Sequence, residues 1–112
     1  MNPSIDEIRQ KITDELFEFS KHALDQSISR DILLQEIREA IINAVVIEDY
    51  PTDKYGPSCL LCGVTQARRT IHIQCSYPSR PILKIITLYE PDRLRWNYDF
   101  TKRRTDNEEP NA

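Results

Sequence analysis

Glycine is nearly absent: the 112-residue chain holds only Gly56 and Gly63. Two isolated glycines cannot build a glycine-rich phosphate loop, and no G-x-S-x-G, H-E-x-x-H or D-x-D-x-D pattern occurs. Nucleotide-dependent and zinc-protease chemistries therefore drop out. Long apolar runs are missing as well. Ile41 to Ile47, interrupted by Asn43, falls far short of the roughly 20 residues that a membrane helix needs. The N-terminus carries Asp6 and Glu7 where a signal peptide carries positive charge, so a cytoplasmic protein is expected. Cysteine is sparse and odd in number, with Cys59, Cys62 and Cys75. That fits a reducing compartment better than a disulfide framework.

A zinc-binding module through Cys59, Cys62, His72 and Cys75 has the right residue types. The local pattern weakens it. Ser58 to Val64 reads as a strand, residues three apart on a strand point to opposite faces, and Leu60-Leu61 supplies no turn. Buried thiols packing as small hydrophobes are favoured, and no cofactor or metal is expected.

What is present describes one globular domain over residues 1–105 with a flexible acidic tail over 106–112. Hydrophobic residues make up 39% and charged residues 29%, the balance of a chain able to bury a core. The net charge of −3 conceals a split. Residues 1–53 carry 5 basic against 12 acidic side chains, hence −7, and residues 54–105 carry 10 against 3, hence +7. Either the basic half meets an anionic partner or the two halves neutralise each other internally.

Ser4 and Glu7 form a capping box after Pro3, and Ile5, Ile8, Ile12 and Leu16 recur at helical spacing, so a first helix is expected over about 4–17. Phe17-Glu18-Phe19 reads as its last turn or as a short extended piece. Ser20 caps a second short helix through Leu24, and Ser29 a third that ends near Asn43, with Ile28 and Leu33 as a hydrophobic staple. Ile32/Leu33, Ile37 and Ile41 form its core stripe, and Arg38 and Glu39 its wet face. Strands follow over Val45–Ile47, Cys59–Val64, Thr70–Tyr77 and Ile82–Tyr89, separated by turns rich in proline and polar residues. In the third of these Ile71, Ile73, Cys75 and Tyr77 alternate with Thr70, His72, Gln74 and Ser76, which places His72 on a polar, open face. Pro91-Asp92 begins a short C-terminal helix carrying Trp96. The expected fold is α+β: two to three N-terminal helices on one face of a three- to four-stranded antiparallel sheet.

Two histidines, clustered arginines and several tyrosines remain as chemistry. A metal-free ribonuclease needs a base, an acid and cations for the developing phosphorane charge. His22 and His72 are the candidate base and acid, with Arg68, Arg69 or Lys84 as cations. Tyr77 or Tyr89 can stack a base or donate a proton. Lys21, Arg103 and Arg104 are candidate phosphate contacts. Each has a plainer role open to it: His22 as a cap, His72 as ordinary surface, Arg68 and Arg69 as solvated turn charge, Arg103 and Arg104 as part of a solubilising end, Trp96 and Phe100 as core plugs.

The order of short motifs carries a resemblance. Ser-Lys-His-Ala at 20–23, Ile-Ser-Arg at 28–30, Val-Ile-Glu-Asp-Tyr at 46–50 and Pro-Ser-Cys-Leu at 57–60 come first. His72 in its strand and Ile-Ile-Thr-Leu-Tyr-Glu-Pro-Asp at 85–92 with Trp96 follow. Over residues 17–104 the chain resembles a small bacterial domain-of-unknown-function family common in cyanobacteria. That family looks related to RelE/MqsR-type toxins, which cut mRNA and pack helices on a curved antiparallel sheet. The resemblance implies metal-independent RNA cleavage, RNA as a partner, an antitoxin-like protein partner of the zinc-finger MqsA type, and roles for His22 and His72. One departure bears on activity. The family pattern places an arginine where this chain has Leu24-Asp25-Gln26-Ser27; if that arginine is catalytic in relatives, the resemblance implies weakened or absent activity here. A non-catalytic protein-interaction domain is the second reading.

Overall fold

The computed structural model describes residues 4–105. Three helices, α1 (Ile5–Thr13), α2 (Lys21–Ser29) and α3 (Leu34–Ile42), combine with five strands. The strands are β1 (Phe17–Phe19), β2 (Val45–Tyr50), β3 (Ser58–Val64), β4 (Thr70–Ser76) and β5 (Leu83–Tyr89). They form one mixed sheet in the order β1-β5-β4-β3-β2. The pairs from β2 through β5 are antiparallel, and β1 pairs with β5 in parallel. The α+β class is as expected; the sheet has five strands and is mixed, because Phe17-Glu18-Phe19 is a strand and not a last helical turn. Pro3 and the acidic tail over 106–112 lie outside the described residues.

Helix signals hold at their starts. The Ser4 hydroxyl accepts from the Glu7 backbone N–H at 3.2 Å, and the Ser20 hydroxyl accepts from Ala23 at 3.0 Å, each satisfying a first-turn donor. The third helix departs from expectation. The second runs on through Ser29, Asp31 takes a positive φ of 55° to reverse the chain, and α3 begins only at Leu34. Glu36 accepts from the Leu33 backbone N–H at 3.0 Å and serves as its cap. Ile28, expected as a staple, is exposed, while Ile32, Ile37 and Ile41 are buried as the stripe requires.

Alternation divides the sheet into two faces. Cys59 and Leu61 of β3, Ile71, Ile73 and Cys75 of β4, and Leu83, Ile85 and Leu88 of β5 meet Ile8, Ile12, Ile37 and Ile41 of the helices in the main core. Gly63 lets α3 sit close: a Cβ there would lie 1.9 Å from the Ala40 carbonyl oxygen. Helix α2 covers the edge of β5 beyond the three residues paired with β1. Gln26 accepts from the Leu88 N–H at 2.9 Å, the Ser20 hydroxyl donates to the Ile86 carbonyl at 2.9 Å, and Arg30 donates to the Leu88 carbonyl at 3.2 Å. Polar side chains thus stand in for a missing strand.

The second face is covered around His72, while Thr70 and Gln74 on it stay half-exposed. No helix follows β5 among the described residues. Asp92 starts a turn by accepting from the Leu94 N–H, and the chain then closes on itself through Arg104 N–H to the Arg95 carbonyl and Asn97 N–H to the Lys102 carbonyl. Asn97 and Asp99 also accept from Thr101, and Phe100 takes a φ of 64°. Turn-forming side chains therefore win over helix continuation here. This arm lays Trp96, 3% exposed, over the centre of the sheet.

Candidate functional site: an arginine-lined cleft above a buried histidine

Three strands contribute one row of side chains beneath the arm. Cys62 pairs with His72, and His72 pairs with Tyr89. The His72 ring lies 4.4 Å from Trp96 and 5.3 Å from Tyr89, edge-on to both, and has no exposed surface. The expectation of an open, solvated His72 is thereby corrected: the C-terminal arm seals it.

Its two nitrogens are both engaged. Nε2 lies 2.7 Å from the Phe100 carbonyl oxygen and Nδ1 3.3 Å from the Tyr89 hydroxyl. A carbonyl only accepts, so Nε2 carries the hydrogen; the neutral ring then accepts at Nδ1, and Tyr89 donates. Burial pushes the His72 pKa down, against the opposing pull of the Phe100 carbonyl and the Glu48 charge. Burial also raises Tyr89 and takes Cys62 up to about 11, with the Asp99 charge adding to it.

Beside this row opens a cleft of about 460 Å³, lined by Arg30 at the C-cap of α2, Tyr89 and Glu90 at the end of β5, and Asp92, Arg95, Trp96 and Arg103 of the arm. Gln26 also lines it, and Arg30, four residues on, comes from the same helix face. Arg103 is anchored. Its guanidinium donates to Glu48 at 2.7 and 3.1 Å and lies 4.8 Å over the Trp96 ring. Burial alone would raise the pKa of Glu48, yet hydrogen bonds from Arg103 and Tyr50 bring it below its usual value. Arg95 has no ion pair among the described residues.

The sequence candidates separate. Tyr89 and Arg103 line the cleft. His22 is exposed on α2, whose buried side chains are Ala23 and Gln26, and it does not line the cleft. Arg69 is a clamp: it donates to the Arg30 and Asp31 carbonyls at 2.9 and 2.8 Å and to Glu36 and Glu90 at 3.0 and 2.8 Å. Arg68 lies exposed in the β3–β4 turn. Lys84 pairs with Glu18 at 3.7 Å and Lys21 with Asp25 at 3.2 Å. The Tyr77 hydroxyl donates to Asp49 at 2.5 Å, and Arg104 donates to the Arg93 carbonyl at 2.8 Å. Arg30 and Arg95 escaped sequence reasoning, since no spacing connects a helix end to an arm some sixty positions later.

The four candidate zinc ligands do not converge. Cys59 and Cys75, their sulfurs 4.0 Å apart, face the helices, whereas Cys62 and His72 face the arm. Among the described residues no three His, Cys, Asp or Glu side chains gather as a metal site, and no helix is long and apolar enough to cross a membrane. The charge split is partly internal, since Arg69–Glu36, Lys84–Glu18 and Arg103–Glu48 join the basic half to the acidic half.

Residues 19–90, from β1 to the end of β5, match the family described as Domain of unknown function (DUF4258). No curated protein and no solved structure matches the chain.

Proposed function

The chain belongs to this DUF4258 family, and we propose that it is a metal-independent RNA endonuclease of the RelE/MqsR toxin type, with its substrate in the arginine cleft. The observation that carries the reading is the convergence of Arg30, Arg95 and Arg103 with Tyr89 in one cleft. Guanidinium groups suit phosphate because their planar donor fork matches phosphate oxygens, and the same cations stabilise the charge of a phosphorane. Tyr89 supplies the group able to move a proton. Arg30, the C-cap of α2, lines the cleft, but it belongs to the shared Ile-Ser-Arg motif and does not replace the arginine missing at residues 24–27, so the activity proposed is a weakened one.

Purified protein, incubated with a labelled single-stranded RNA in EDTA, should cleave it, and Arg95→Glu should abolish both cleavage and binding. RNA left intact by the wild-type protein would count against the nuclease. Leu24 and Ile28 of α2 and Leu33 and Leu34 at the start of α3 are exposed, which favours the second reading, a protein-interaction domain with a partner such as an antitoxin. That reading predicts no RNA binding at all.

A further inference from the structure

Among the described residues, every buried side-chain nitrogen and oxygen has a hydrogen-bond partner. One of those partnerships is chemically directional. We propose that His72 is a positioning residue that accepts the Tyr89 phenol proton during cleavage, so that the chain from the Phe100 carbonyl through His72 to the Tyr89 hydroxyl makes Tyr89 the general base. This rests on the RNA-cleavage reading of the cleft.

The geometry carries it in three ways. The Phe100 carbonyl, 2.7 Å from Nε2, fixes the ring in the tautomer whose free lone pair points at Tyr89, 3.3 Å away. That second distance is long for a hydrogen bond, as is common in catalytic pairs before substrate tightens them. Phe100 itself is held at a φ of 64°, a conformation that a bulky residue adopts only when its surroundings impose it. The Arg93 guanidinium, 5.0 Å over the Phe100 ring, helps to hold it. Finally, Tyr89 alone is a poor base, because its phenol is protonated at neutral pH; a neutral imidazole behind it removes that obstacle.

The step balances. The ribose hydroxyl beside the scissile phosphate gives its proton to the Tyr89 oxygen as that oxygen passes its own proton to His72 Nδ1. The ribose oxygen bonds to phosphorus, the bond from phosphorus to the leaving oxygen breaks, and a cyclic phosphate forms. The leaving oxygen takes a proton from water. The proton on His72 returns through Tyr89 to the hydroxide so produced.

His72→Asn is the variant of choice. Its side-chain oxygen can still accept from Tyr89 but cannot hold the proton. Expected are a fall in kcat on the order of 10²-fold, unchanged RNA affinity, and loss of the acidic limb of the pH–kcat profile. That limb belongs to His72 among the titratable and charged groups around it: Tyr89 and Cys62 from the sheet, Glu48 from β2 and Arg103 from the arm, with Asp99 of the arm acting on Cys62. Should the variant fail to fold, long-range ¹H–¹⁵N spectra of the wild-type protein give a second test. Hydrogen on Nε2 and none on Nδ1 at neutral pH supports the chain; hydrogen on Nδ1 overturns it. If wild-type protein cleaves RNA and His72→Asn keeps its kcat and pH profile, this proposal alone fails. If wild-type protein cleaves no RNA, the nuclease reading fails first and takes the proposal with it.

Discussion

Arg103 reaches across 55 positions of chain to Glu48 and, with the same guanidinium, covers Trp96. One side chain thereby fastens the C-terminal arm to the far edge of the sheet and closes the roof over His72. An exposed ion pair is worth up to about 1 kcal/mol, so Arg103→Ala should leave the fold intact while loosening the arm. Trp96 is the sole tryptophan. Its fluorescence should shift to the red and become accessible to iodide, with the far-ultraviolet circular dichroism unchanged. An unshifted spectrum would show that the arm is held by packing alone.

Gly63 is a second point of contact between distant parts. The Ala40 carbonyl fills the space where a Cβ would stand, and backbone cannot step aside as a flexible side chain can. Gly63→Ala should therefore cost about 2–3 kcal/mol, at the upper end of the overpacking range. A urea titration checks this, and a midpoint equal to that of the wild-type protein would contradict the close approach of α3.

The pH response follows from His72. In the unfolded chain the imidazole charges as pH falls through about 6.5, whereas burial holds it neutral to lower pH in the folded chain. The folded state then binds fewer protons in that window, so stability is full above about 6.5 and declines as pH falls below it. The urea midpoint should be lower at about pH 5.5 than at about pH 7.5, and His72→Asn should flatten the difference.

Arg69 tests whether the basic turn is structural. It joins the α2–α3 reversal, the start of α3 and the end of β5 through four acceptors. Its hydrogen bond to Glu90 and the Glu36 charge raise its pKa. Arg69→Ala should destabilise by about 1.5–3 kcal/mol, the range for bonds to charged groups. Arg69→Lys should recover little of this, because an ammonium cannot span a fork of acceptors. Equal stability of all three proteins would remove the clamp.

Local rules explain how much of this was legible. Capping serines placed the starts of α1 and α2, and two-residue alternation placed Ile71, Ile73 and Cys75 on one face of β4. Alternation specifies the face that His72 occupies but not its surroundings, because no periodicity reveals that a segment twenty-four residues later folds back over it. The same blindness hid Arg30 and Arg95, whose meeting is tertiary. Phe17-Glu18-Phe19 was ambiguous for a different reason: three residues are too few for either a helical or a strand period to declare itself. The split of charge was real in the sequence, yet three ion pairs absorb part of it in the fold.

The affinity of the cleft for RNA is the most direct test of a nuclease at this site. Fluorescence anisotropy of a labelled single-stranded RNA should report binding that weakens as salt rises, as phosphate contacts require. Arg30→Ala combined with Arg95→Ala should weaken it on the order of 10²-fold or more, each lost charged hydrogen bond being worth about 1.5–3 kcal/mol. A double variant that binds as tightly as the wild-type protein, or a wild-type protein that binds no RNA, would contradict the claim that this cleft is the site.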